Sequence, residues 1–189
     1  MIKLIENFIP NSFIKELQDT FISNDQFDWY MRGFTNPQEF SKDTESTSDS
    51  FYFVHSLYHW DKQHHSPHFI TSKRVLQFLE QKEKFEIADL FRIKANLYTN
   101  NSHFVEGKHH RIHTDSDDEK YYSFLYFVND SDGDIMFFDR DNKIIQQFTP
   151  KAGSGVLFKS KIPHTGSNPI KSNLRTNINF IFSLRSVNE

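Results

Sequence analysis

His113 and Asp115 lie two residues apart, and a single histidine, His164, follows 49 residues after Asp115. This trio constrains the chain more than any other feature. On a β-strand, residues i and i+2 point to the same face, so His113 and Asp115 can grip one ion from one strand or strand end. His164 must then come from a different strand, and the long gap allows that. From residue 111 to the C-terminus His113 and His164 are the only histidines, so nothing in that half competes for the distal position.

Two histidines and one carboxylate on one face of a metal leave several coordination positions open. That is the ligand set of a mononuclear non-haem iron(II) oxygenase. Arg175, 11 residues beyond His164, supplies a fixed cationic fork suited to a carboxylate-bearing cosubstrate. Strand parity supports both assignments. In the last strand Ile178, Phe180, Phe182 and Leu184 form an apolar face, while Arg175, Asn177 and Asn179 share the other. In an earlier strand Phe91, Ile93, Ala95 and Leu97 alternate with Arg92, Lys94, Asn96 and Tyr98. One face is expected to pack on helices and the other to line a polar cavity. An arginine buried beside two asparagines needs an anionic partner, because an unpaired buried charge is costly. The competing reading is an exposed arginine at a strand start with solvated asparagines.

The order of elements indicates an α+β, mainly β fold. Pro10-Asn11-Ser12 reads as a helix start, followed by Phe13, Ile14, Leu17 and Phe21 at helical spacing. Residues 36–50 are polar and rich in Ser, Thr and Asp, which predicts a loop. A strand is expected over 51–58 and a helix over 67–82 with Val75, Leu76 and Leu79 inward. Strand signals separated by turns then fall at 91–99, 121–129, 134–139, 143–148, 155–159 and 175–184. This pattern predicts a double-stranded β-helix (jelly roll) with N-terminal helices packed on one sheet. A single domain over 1–189 is expected, with a helical part at about 1–86 and a jelly-roll core at about 87–185.

These segments resemble the 2-oxoglutarate/Fe(II)-dependent oxygenases, in the prolyl 4-hydroxylase-like branch that includes small bacterial and bacteriophage members. The resemblance covers roughly residues 87–185. Arg92 to Tyr98 looks like the family strand that precedes the metal motif and brings a tyrosine to the cosubstrate. Tyr122 to Asn129 resembles the strand after it. Ser131 to Asp134 with Ile135 to Phe138 is similar to the family's glycine turn and following strand. Pro150, Gly153 and Gly155 to Phe158 resemble the approach to the distal histidine, and Arg175 to Phe180 the closing strand. The resemblance implies Fe(II) on His113, Asp115 and His164, and 2-oxoglutarate held by Arg175 with Tyr98, Asn96 and Asn177 near it. It also implies O2 as oxidant, ascorbate as a supporting reductant, and hydroxylation of a C–H bond with release of succinate and CO2. Two positions depart from the pattern. Phe127 stands where relatives often carry a tyrosine two residues before the Asn, so that role falls to Tyr98 or an asparagine. The turn reads Asp-Gly-Asp rather than Gly-Gly.

Peptidyl residues, proline first, are the substrate class implied, with a free amino acid or small metabolite as the alternative. A net charge of −3 leaves no electrostatic footprint for nucleic acid or an anionic membrane. There is no cysteine, which excludes disulfides and cysteine-ligated zinc. No long apolar run or leading signal peptide is visible, so a soluble cytoplasmic protein is expected; the sequence does not set the oligomeric state. Two other classes share the ligand trio: a non-catalytic metal-binding jelly roll, and a zinc- or manganese-dependent cupin-like enzyme. Neither requires a buried cation near the metal, so Arg175 discriminates. His109 and His110 are expected in a solvated entrance loop. His59, His64, His65 and His68 are expected on a surface or substrate-facing loop, Asp117 to Glu119 as solvated charges, and Asp132 and Asp134 as servants of their own turn.

Overall fold

The computed structural model describes residues 1–33, 50–62, 65–100 and 106–185. The expected loop at 36–50, except Ser50, and His64 lie outside the described residues. The elements are β1 (Ile2–Ile5), α1 (Asn11–Gln18) running into a π-helical turn (Asp19–Ser23), β2 (Tyr30–Arg32), β3 (Tyr52–His59) and α2 (Phe69–Glu83). Then come β4 (Ile87–Thr99), β5 (Tyr121–Phe127), β6 (Ile135–Phe138), β7 (Ile144–Phe148), β8 (Gly155–Lys159), β9 (His164–Gly166) and β10 (Leu174–Leu184). A seven-stranded sheet has the order β1-β8-β5-β10-β4-β3-β2, and a three-stranded sheet the order β7-β6-β9. All pairings are antiparallel.

α1 begins where Pro10, in extended conformation, lends its carbonyl to the N–H groups of Phe13 (2.9 Å) and Ile14 (3.0 Å). Phe13, Leu17 and Phe21 all turn inward, as their spacing requires. α2 buries Val75, Leu76 and Leu79 on the same layer. These side chains meet Ile93, Ala95, Phe124, Tyr126, Ile178, Phe180 and Phe182 from the outer face of the large sheet. A second core fills the space between the sheets, where Leu125, Phe127, Val156 and Phe158 meet Ile135 and Phe137. Helices on one sheet and a second sheet on its other face are the expected jelly-roll arrangement.

The first 86 residues are not simply helical. They also supply β1, β2 and β3, which extend both edges of the large sheet. β1 and β2 are only four and three residues long and mostly exposed, so they carry little alternating pattern. β9 is equally short and follows Pro163.

Parity holds in β10, where Ile178, Phe180 and Phe182 point to the helices and Arg175, Asn177 and Asn179 to the other sheet. In β4, Ile93 and Ala95 obey it and Phe91 does not. The register against β10 steps from Arg92–Ile181 to Leu90–Phe182, leaving Phe91 as the extra residue of a bulge. A bulge re-aims side chains. Leu90 takes the core-facing role, and the Phe91 ring meets Tyr121 on the cavity side at 5.1 Å.

Candidate active site

His113 and Asp115 lie in an extended segment outside the sheet strands, not in a strand of their own. The segment is tied to its partners by backbone. His113 N–H donates to the His164 carbonyl (3.0 Å), His164 N–H to the His113 carbonyl (2.9 Å), and Asp115 N–H to Ser160 O (2.9 Å). A ligand atom from each of His113, Asp115 and His164 lies within 4.8 Å of the others. The three predicted side chains therefore converge on one point.

Their protonation states suit a cation there. His164 Nδ1 lies 2.9 Å from Ile162 O, and His113 Nδ1 lies 3.3 Å from Arg111 O. A carbonyl only accepts, so Nδ1 carries a proton and Nε2 is the nitrogen turned toward a ligand role. Burial, reinforced by the neighbouring His164, lowers the His113 imidazole to about 3 and keeps it neutral. Burial works against ionised Asp115, yet His164, Arg92, His113 and the Asn179 amide outweigh it. They hold the carboxyl below the usual carboxylate range. Asp115 Oδ2 accepts from Ser123 Oγ (2.7 Å) and Asn179 Nδ2 (2.9 Å), and Oδ1 faces Arg92 Nη2 at 3.3 Å. The carboxylate is thus aimed before any metal arrives.

Along the same cavity the predicted cosubstrate residues follow one another. Asn96 Nδ2 donates to Asn177 Oδ1 (2.9 Å), joining β4 to β10 beneath the cavity. Arg175, 1% exposed, lays its guanidinium over the Tyr98 ring at 4.1 Å. Tyr98 in turn stacks on Tyr52 at 5.2 Å and 7°, and burial pushes its phenol above the usual range. Arg175 Nε and Nη1 have no hydrogen-bond partner among the described residues. Burial weakens its hold on the proton, while Tyr98 and Asp134 strengthen it. The guanidinium can reach this place because β9 carries Gly166, where a Cβ would stand 2.6 Å from Nη1. A cation buried at such cost and left with open donors fits the far carboxylate of a dicarboxylic ligand. The three ligand atoms and this open fork together fit Fe(II) and 2-oxoglutarate.

Several residues were missed or misplaced by sequence. Arg92 and Asn179, which grip Asp115, lay on the expected polar faces but carried no sign of that task. Ser123 and Tyr52 carried no signal at all, since each sits among aromatic strand residues. His109 and His110 are buried, not solvated: His109 Nδ1 approaches His110 O (2.7 Å) and His110 Nε2 approaches Asn168 Oδ1 (2.5 Å). His110 binds Gly166 O of β9 and Asn168 of the β9–β10 connection and packs its ring on Tyr98, while the His109 ring meets Phe138 of β6. Phe127 is fully buried between the sheets, and Tyr98 stands beside Arg175 as expected of a substitute. Asp132 reaches beyond its own turn to accept backbone N–H groups of Ile170, Lys171 and Ser172. His55 and His68 pack around Phe27, with His55 bound to Asp28 O and Ser66 Oγ. Among the described residues the only metal-ligand group is His113, Asp115 and His164. No helix there is long and apolar enough to cross a membrane.

The sequence profile of the 2OG-Fe(II) oxygenase superfamily matches residues 95–183. No curated protein sequence matches the chain. Among solved structures, a Pseudomonas putida prolyl-4-hydroxylase is similar at 17% identity and TM-score 0.59, covering 98% of this chain and 93% of that one. A Trichoplax adhaerens prolyl hydroxylase, solved with a hypoxia inducible factor peptide fragment, aligns at 13% identity and TM-score 0.63, covering 96% and 83%. The 2-oxoglutarate-dependent epimerase SnoN of nogalamycin biosynthesis aligns at 10% and 0.62, covering 96% and 78%. At these identities the structures speak for the fold, and their chemistries differ. The profile match takes in Tyr98, the three candidate ligands and Arg175, and residues 95–183 of this chain are similar to the 2OG-Fe(II) oxygenase superfamily over that span.

Proposed function

We propose that this protein hydroxylates an unactivated C–H bond, with His113, Asp115 and His164 as the Fe(II) ligands and Arg175 as the anchor of 2-oxoglutarate. The observation that carries the reading is the open guanidinium of Arg175, buried in the cavity that the three ligands also line. Fe(II) with 2-oxoglutarate supplies O2 activation, coupled to oxidative decarboxylation that yields succinate and CO2. The residues of the chain fix everything else. The Nδ1–H bonds orient the two imidazoles, Asn179 and Ser123 aim Asp115, and Tyr98 holds the Arg175 plane. Asn96 and Asn177 line the path between these two ends.

For the substrate we propose a peptidyl residue, proline first. The support is a row of rings one step beyond Asp115. The Phe91 bulge faces Tyr121, and Trp60, 61% exposed, lies near-parallel to Phe91 at 6.2 Å, its backbone N–H donating to Phe91 O (3.0 Å). Flat apolar faces of this kind suit a pyrrolidine ring or an extended peptide. Purified protein given Fe(II), 2-oxoglutarate and ascorbate in air releases succinate slowly on its own on this reading. A proline-rich peptide or ribosomal-protein extract raises that rate and gains one oxygen atom by mass spectrometry. Stimulation only by single-stranded DNA or RNA, lost steeply with salt, would contradict the peptide assignment.

A further inference from the structure

Lys94 lies between Arg92 and Asn96 on the cavity face of β4, and the reaction proposed above gives it no part. Its register partner on β10 is Asn179, the residue that binds Asp115, whereas the partner of Arg175 is Tyr98. Lys94 therefore enters the cavity at the level of the metal ligands and not at the level of the Arg175 anchor. No hydrogen bond or ion pair engages its ammonium among the described residues. Burial together with the like charges of Arg92 and Arg32 weighs against that ammonium and lowers it to about 7, with Asp115 the one group opposing. Asp115 is already engaged by Ser123, Asn179 and Arg92. The chain thus places a second cation in the cavity, half-buried and with no ion pair of its own among the described residues.

We propose that Lys94 is an anion-binding residue beside the metal ligands, holding a carboxylate oxygen of the bound small molecule. That carboxylate belongs either to the metal-binding end of 2-oxoglutarate or to the substrate. The inference rests on the functional reading above and adds a second cationic contact to the one made by Arg175. A lysine suits the position because its three donors on a flexible stem follow a single oxygen, where an arginine fork prefers a flat pair.

The test compares wild type with Lys94→Met and Lys94→Arg. Anaerobic Fe(II) protein is titrated with 2-oxoglutarate, and succinate release is measured with the free amino acids, L-proline included, and with their amides. If the carboxylate is that of 2-oxoglutarate, Lys94→Met weakens its binding about 10- to 100-fold, leaves Fe(II) affinity unchanged, and Lys94→Arg recovers part of the loss. If it is the substrate's, 2-oxoglutarate affinity stays put. A free amino acid then stimulates wild type more than its amide does, and Lys94→Met erases the difference. Either result supports the assignment, and in both the melting temperature of the metal-free variant is equal or higher. Wild type that binds 2-oxoglutarate while Lys94→Met matches it within about twofold, with no carboxylate-dependent difference across the panel, overturns the Lys94 inference alone. Wild type that fails to bind 2-oxoglutarate with Fe(II) overturns the functional reading beneath it.

Discussion

His113 and His164 face each other across one antiparallel bridge, each donating its backbone N–H to the other's carbonyl. Their rings come to 4.6 Å between centroids as a result. Two of the three candidate ligands are thus positioned by main chain, which side-chain substitution does not disturb. His113→Ala, Asp115→Ala and His164→Ala are each expected to abolish succinate release and Fe(II) binding while the fold survives by circular dichroism. Metal-dependent turnover by the His164 variant would remove that residue from the ligand set.

Asp115 depends on its supporting side chains instead. Ser123→Ala and Asn179→Ala each delete one hydrogen bond to Oδ2 and leave all three ligands present. Supporting shells of this kind are worth about 10- to 100-fold in metal affinity. Fe(II) titration should show a loss of that order for each variant, with 2-oxoglutarate binding to the loaded protein less affected.

How far the sequence spoke can be judged from these residues. The convergence of the trio was legible from spacing, since no other histidines follow residue 111, although His113 and Asp115 lie outside the strands; the burial of Arg175 was legible from the parity of β10. Most strands of the core were legible too, since period-two alternation survives wherever one face packs on helices. Ser123 was not, because its role comes from the pairing of β5 with β8 and β10, a relation between distant segments. The Phe91 bulge was invisible for a related reason. A bulge is a mismatch between two strands, and alternation within β4 alone runs through it unbroken. His109 and His110 read as solvated because their neighbours are charged, yet long-range contacts bury them, His110 against Asn168 and Gly166 and His109 against Phe138.

Arg175 is expected to trade stability for binding. Arg175→Met should leave the metal-free protein at least as stable in thermal melts, since it removes a buried cation without a carboxylate partner. The same change should cost 2-oxoglutarate about 3–5 kcal/mol of affinity, and 2-oxoglutarate should no longer raise the melting temperature of the Fe(II)-loaded protein. A large drop in metal-free stability would show that the guanidinium serves the fold first.

Gly166→Ala tests the space that Arg175 occupies. A methyl group there would lie 2.6 Å from Nη1 and 2.7 Å from Nη2, so the guanidinium must move. Weaker 2-oxoglutarate binding with unchanged Fe(II) affinity is the expected outcome of titration. Unchanged binding of both would mean that the guanidinium position is not what matters.

Asp132 should leave a mark on the acid limb of stability. Its burial opposes ionisation, but three backbone N–H bonds from Ser172, Lys171 and Ile170 lower its carboxyl to about 2. A carboxyl depressed in the folded state stabilises above its unfolded value, about 3.9, and loses that contribution as pH falls toward 2. Asp132→Asn should flatten this part of the stability curve and cost at most about 1–3 kcal/mol at neutral pH, less to the extent that solvent screens the group. An acid limb identical to wild type would show that these bonds carry no net stability.

The central claim is that the ligand trio and the open guanidinium of Arg175 form one site for Fe(II) and 2-oxoglutarate. Anaerobic titration of the Fe(II) protein with 2-oxoglutarate, followed by its visible charge-transfer band, tests this most directly. The account predicts a saturable band in wild type, no band in Asp115→Ala, and in Arg175→Ala a band of the same shape requiring about a hundred-fold or more 2-oxoglutarate. A wild-type protein that binds Fe(II) and shows no such band, or an Arg175→Ala protein that saturates at the wild-type concentration, would contradict it.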